Sequence, residues 1–208
     1  VTLAKMASGT DGVILTYDAS GNPAHVGPGS DGEVLTSTGA GSPPAFEAAA
    51  GGGAWTLIAT AVASSSASLT ITGIDSTYDM YAFQISDINM SAHASVYMRL
   101  GDTSGIDSGS SDYGYNNLRH PWSNDDVRAV QTSYAYVQIT DTVGDGTGEG
   151  LSIAGFLLQP ADAHQDPMVC WQGVYMDAFS DLIGIEGYGK RNTVITTSQI
   201  QIYASTGT

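Results

Sequence analysis

Cysteine and cationic side chains are the scarcest features of this sequence. A single cysteine, Cys170, rules out a disulfide within these residues and any site that needs several thiolates. Its surroundings, MVCWQGVYM, predict a small buried hydrophobe. Six Lys and Arg stand against 21 Asp and Glu, a formal charge of −15. Nucleic-acid binding works by replacing phosphate counterions with Lys and Arg, so a nucleic-acid partner is excluded, and an anionic membrane surface would repel the chain. The acidity is compatible with divalent cations or neutral glycans as ligands. No run reaches the ~18–20 apolar residues that span a bilayer, so no membrane insertion is expected. No cleavable leader is visible, and Val1 in place of Met reads as a processed product or a piece of a longer chain. Long Ala, Leu, Glu and Lys runs are missing too, which argues against extended helices.

Glycine is abundant instead, at 26 residues, with many Ser and Thr and aromatics that are mostly Tyr. That is the composition of a β-rich protein with many turns. Residues 9–46 nearly repeat themselves with a period of 20: Asp11, Gly12, Leu15, Thr16, Gly21 and Pro23 recur as Asp31, Gly32, Leu35, Thr36, Gly41 and Pro43. Each copy carries few large apolar side chains, notably Ile14 and Leu15 in the first and Val34 and Leu35 in the second. Burying a Leu or Ile contributes roughly 1.5–3 kcal/mol. Ordering each residue costs about 1–2 kcal/mol. One copy in one chain loses that balance. Identical chains around a closed symmetry axis can supply the missing surface, whereas a disordered linker needs no such register.

Ala48 to Gly53, AAAGGG, reads as a flexible joint. The chain then divides into a repeat segment (1–47), the joint (48–53) and a larger domain (54–208). From Trp55 the texture is that of short strands: 55–62, 68–74, 80–88, 95–100, 133–139 and four further segments toward the end, separated by Gly, Asp and Ser turns. In SQIQIYAS, Ile200, Ile202 and Ala204 share one face. Nine or ten such strands in the larger domain predict an antiparallel β-sandwich of jelly-roll type.

Three features could carry chemistry. Tyr113, Tyr115, Asn117, Arg119, His120 and Trp122 lie in DYGYNNLRHPW and offer ring faces, an amide and a guanidinium, the mixture a glycan site uses. Alternatively, Tyr113 and Tyr115 alternate into the core while Arg119 pairs with an acid. Asp102, Asp107 and Asp112 in one loop, and Asp141, Asp145 and Glu149 in another, could hold Ca²⁺, although neither follows the EF-hand pattern and solvated turns use the same residues. The loop GDGTGEG lacks the strand and helix context of a nucleotide site, and no GxSxG elbow is present. Four scattered His, at 25, 93, 120 and 164, form no apparent ligand set, and Lys190–Arg191 should offset nearby acids.

The stretches LAKMASGTDGVILTYDASGNPAHV, GSDGEVLTSTGAGSPPAFEA and GGGAW, with the later ITGIDSTYDMYAF, MRLGDTSGIDSGSSDYGY and terminal TSQIQIYAS, resemble segments of tail-fibre and other virion structural proteins of tailed bacteriophages. The resemblance covers most of the chain. It implies an all-β protein with a thin trimeric stalk, its core made by Ile14, Leu15, Val34 and Leu35, followed by a β-rich tip. It further implies a place on the virion, other virion proteins bound through the N-terminal end, and attachment to a host-surface polysaccharide or outer-membrane component without catalysis. A capsid decoration protein and a polysaccharide-depolymerising tip are the alternative roles. Relatives often continue the last motif into one more turn and strand. Here the motif stops at ASTGT, so that strand is absent or another chain completes the sheet.

Overall fold

The structure is a computed structural model that describes residues 10–49, 55–122 and 125–207. Among these residues there is no helix, and every strand pairing is antiparallel. The chain divides into two compact units, Val1–Leu57 and Ile58–Thr208. The expected joint at 48–53 falls largely outside the described residues.

The first unit consists of two hairpins, one per repeat: β1 (Ile14–Tyr17) with β2 (Pro23–Val26), and β3 (Glu33–Thr36) with β4 (Ala45–Ala48). The 20-residue period has a conformational cause. Val13 N–H donates to Thr10 O at 3.3 Å, and Glu33 N–H, 20 residues on, donates to Ser30 O at 3.1 Å. The third residue of each turn, Gly12 or Gly32, has φ of 77° or 85°, where an L side chain is strained. Gly21 and Gly41 also share positive φ, at 80° and 81°, although the loops around them differ: Gly21 N–H donates to Asp18 O, whereas in the second copy Ser42 N–H donates to Gly39 O. The strand register differs too. Thr16 faces Ala24, whereas Thr36 faces Ala45, because the second copy takes up an additional residue at Pro44 before pairing resumes. Ile14 is half-buried, while Leu15, Val34 and Leu35 are 53%, 44% and 44% exposed. The hairpins thus leave most of their large apolar side chains uncovered within a single chain.

The second unit contains β5 (Ser68–Thr72), β6 (Met80–Ile88), β7 (Val96–Asp102), β8 (Gly105–Ile106), β9 (Tyr113–Pro121), β10 (Val127–Tyr134), β11 (Val137–Gln138), β12 (Leu151–Leu158), β13 (Met168–Met176), β14 (Leu182–Arg191) and β15 (Gln199–Ala204). They form two sheets. One is six-stranded, in the order β10-β9-β14-β13-β12-β6; the other runs β11-β7-β15-β5, with β8 also paired to β7. Period-two alternation assigns the faces. On β12, Leu151, Ile153 and Leu157 are buried while Ser152, Ala154 and Phe156 face outward. From the second sheet, Val96, Met98, Leu100 and Ile200 enter the same core.

Hydrogen bonds fasten one sheet to the other. The Tyr113 hydroxyl, from β9, accepts from Leu100 N–H and donates to Leu100 O, both at 2.9 Å. Trp171 Nε1, from β13, donates to Ile139 O at 3.0 Å. Two inward glycines leave room for this packing: a Cβ on Gly187 would lie 2.2 Å from the Trp171 ring, and one on Gly189 would lie 2.7 Å from Val137.

Four expectations change in the structure. Residues 55–62 form no strand; Leu57 and Val62 are 78% and 87% exposed, since β propensity needs a neighbouring ladder and none pairs with them. The segment 133–139 is not one strand but the end of β10 and the whole of the short β11, and residues 135–136 carry the chain from one sheet to the other. The stretch DYGYNNLRHPW, absent from the expected strands, contains β9, which lies between β10 and β14; its amide and guanidinium side chains concealed a strand pattern. Cys170 is half-buried on the outward face of β13 rather than enclosed, because alternation places Trp171 and Val169 inside.

Candidate functional site

Strand β9 separates the residues read as one glycan site. Tyr113, Tyr115 and Asn117 point inward and are 0%, 6% and 1% exposed. Tyr115 Oη donates to Gln138 Oε1 at 2.9 Å and Asn117 Nδ2 donates to Gln138 O at 3.1 Å, while Asn117 Oδ1 is buried without a partner. Ring faces buried in the core cannot stack on a sugar, so these three leave the site; the alternative reading, alternation into the core, holds. Burial raises the Tyr115 hydroxyl to about 12 and pushes Tyr113 upward as well. Arg119 pairs with an acid, Asp141. His120 sits on the outer face, its Nδ1 3.0 Å from Asp126.

The Ca²⁺ reading is overturned by the same kind of pairing. Arg191 Nε lies 2.9 Å from Asp107, and its Nη1 lies 3.3 Å from Asp112. Asp102 caps its own turn by accepting from Ser104, which lowers its pKa. In the second loop, Asp141 is held by Arg119, and Asp145 sits 3.2 Å from His93. Glu149 accepts from the Ser180 hydroxyl and from Gly146 N–H, and both bonds lower its pKa. Each carboxylate is turned toward its own partner, and no group of three or more potential ligands converges among the described residues. Lys190 pairs with Asp166 and Arg191 with Asp107, as their charge suggested.

Of the remaining candidates, His120 lies on the opposite face of the sheet, whereas Arg119 lines a cleft where β9 ends, β10 begins and the β13–β14 turn passes. It encloses about 270 Å³, and Arg119, Asp141, Tyr175, Asp177, Phe179 and Asp181 are among its lining residues. Trp122 stands beside it. Its Nε1 donates to Asp181 Oδ1 at 2.9 Å, which fixes the indole while leaving it 76% exposed. Phe179 is 87% exposed at the tip of the turn.

The turn is rigidly specified. Asp177 Oδ1 accepts from Phe179 N–H at 2.8 Å and Asp181 N–H at 2.9 Å, and Ser180 takes φ of 61°. Ser180 also reaches across to Glu149, tying the 144–150 loop to the turn. At the cleft's floor, Arg119 Nε is buried without an acceptor. Beside it, burial raises the Tyr175 hydroxyl to about 12 against the pull of the nearby guanidinium. The cleft therefore presents two large exposed rings and a guanidinium, while its three carboxylates are committed to structural bonds. That arrangement can stack on an apolar ring face and hydrogen-bond hydroxyls.

Sequence reasoning missed Phe179, although a signal existed. DAFSD places an aromatic between two acids in a turn, where a core side chain has no strand to carry it inward. Compared with protein-family models, with curated proteins and with solved structures, the chain matches none.

Proposed function

We propose that this chain is a virion fibre protein of a tailed bacteriophage, a homotrimer whose hairpin repeats form a stalk and whose larger, jelly-roll-like unit attaches the particle to a host surface. The observation that carries this reading is the repeat itself. Its glycines hold matched positive φ in both copies, yet each hairpin leaves large apolar side chains uncovered. A unit specified so closely and buried so poorly is suited to association with copies of itself. The cleft beside Trp122 and Phe179 supplies the receptor contact. Three such contacts on one shaft raise apparent affinity without any new interaction.

Two measurements on the full chain test the proposal. Light scattering after size exclusion should give the mass of three chains; a monomer at micromolar concentration sinks the fibre reading. Labelled protein incubated with a panel of bacterial strains should be retained on a subset of them, and Trp122→Ala with Phe179→Ala should abolish retention at unchanged thermal stability. Retention on no strain refutes attachment. Release of reducing ends from the retained strain's polysaccharide would mean cleavage rather than binding.

A further inference from the structure

A second concavity lies on the opposite side of β9 from the buried tyrosines, across the outer face of the six-stranded sheet. It is a trough of about 470 Å³, open along its length. Strand register builds it. Glu186 faces Gln172, Gln172 faces Ala154, and Ala154 faces Gln84, so one row of outward side chains crosses β14, β13, β12 and β6. The adjacent row runs His120, Gly184, Val174 and Ser152. Gly184, Ala154 and Ser152 are small, and they lower the floor between the longer side chains. On the far side of the Glu186 row stand Tyr188, 57% exposed, and Phe156, 38% exposed. At about 4.8 Å per strand, the path from β9 to β6 extends about 19 Å.

We infer that this trough is a second binding site, separate from the cleft: a track for an extended neutral polysaccharide, which rests on the attachment reading above only in taking the host surface as the source of that ligand. Three observations select that ligand. First, Gln84, Gln172 and Glu186 make no side-chain hydrogen bond or ion pair among the described residues, so two amides and a carboxylate in one row are free to engage vicinal hydroxyls. Second, Tyr188, 57% exposed, stands one outward row away, within reach of a pyranose bonded to that row. Third, the charge is wrong for anything anionic: Glu186 is the carboxylate in the trough, and the whole chain carries −15. The track also crosses the strands at the sheet's face. A peptide adding by β-augmentation needs an edge.

Affinity electrophoresis of the full chain tests this, in gels containing dextran, mannan or galactan and, as the acidic counterpart, polygalacturonate. Retardation is expected in at least one neutral gel and not in polygalacturonate. Gln84→Ala with Gln172→Ala should weaken it about tenfold, the loss expected for two hydrogen bonds. Gly184→Ile should abolish it by filling the floor, and Gly184→Ala, whose Cβ meets His120 at an ordinary 3.5 Å, should weaken it less. Circular dichroism of each variant checks the fold. No retardation in any neutral gel, or retardation that survives both the glutamine substitutions and Gly184→Ile, overturns the track. Retardation lost with Trp122→Ala but kept with Gly184→Ile puts the saccharide in the cleft instead and also overturns it. Strain retention separates the two readings: cells retained without polysaccharide retardation leave attachment standing and remove the track, and the reverse removes attachment alone.

Discussion

Removing one oxygen atom from Tyr113 should distinguish a core residue from a ligand residue. In the native chain that hydroxyl accepts from Leu100 N–H and donates to Leu100 O at 2.9 Å, and it lies 3.0 Å from Asp107 O. Leu100 O has a second partner in Asp107 N–H, at 3.0 Å. Tyr113→Phe therefore leaves chiefly the Leu100 N–H unsatisfied, in a core where both residues are at most 1% exposed. A buried donor stranded this way costs ~1–3 kcal/mol. For a unit of this size that corresponds to a fall in Tm of roughly 2–12 °C, at about 2–4 °C per kcal/mol. The ring remains, so no cavity term is added. Urea unfolding followed by the fluorescence of Trp171, buried in the same core, reads the loss directly; Tyr188→Phe, on an exposed ring, should change it by less than ~0.5 kcal/mol. Unchanged stability in Tyr113→Phe, combined with lost retention on cells, would refute the assignment of Tyr113 to the core and return it to the binding site.

Arg191 should matter more. Arg191→Met strands Asp107 and Asp112 beside an apolar side chain, and breaking a pair this buried costs ~3–5 kcal/mol, with Asp107→Asn in the same chain recovering part of it in a denaturation experiment. Stability should also fall on the alkaline side. Burial holds Tyr115 and Tyr175 protonated to about 12, against 10 for a free tyrosine. The folded state thus binds more protons than the unfolded one in that window. The stability they contribute is complete below pH 10 and declines at ~1.4 kcal/mol per pH unit for each ring up to pH 12; absorbance at 295 nm should show both ionising together with unfolding. Gly187→Ala, whose Cβ would sit 2.2 Å from the Trp171 ring, should cost ~1–3 kcal/mol and disturb the near-ultraviolet dichroism. Gly184→Ala, on the open face of the same strand, should cost less than ~0.5 kcal/mol.

The strand content and the repeat were readable from the chain because both are local. Alternation in LSIAGFLL and SQIQIYAS marks a half-buried strand whatever its neighbours, and the inward set Leu151, Ile153, Leu157 and Ile200 follows from it. The 20-residue period follows from turns that need positive φ at Gly12 and Gly32. The same locality misled at Trp55–Val62, where propensity predicted a strand that no ladder partner supports. At β9 the inward polar groups of Asn117 and Arg119 broke the apolar rhythm, and only partners across the core, Gln138 and Asp141, account for their placement.

The two concavities depend on tertiary structure for a related reason. The cleft joins Arg119, Asp141 and Phe179, and the trough joins Gln84, Gln172 and Glu186. In each, the sequence supplied the side chains but not their meeting. Which carboxylate faces Arg119 or Arg191 is a matter of sheet register and of which loop crosses above, and loop sequences do not encode that separation. The sequence alone determined that this is an acidic, turn-rich, all-β chain with an in-phase repeat, because composition and periodicity act over a few residues. The pairing of charges, the burial of Tyr113 and Tyr115, and the surfaces left free to bind were decided by long-range strand order, because contacts between residues far apart in the chain form only once the sheets assemble.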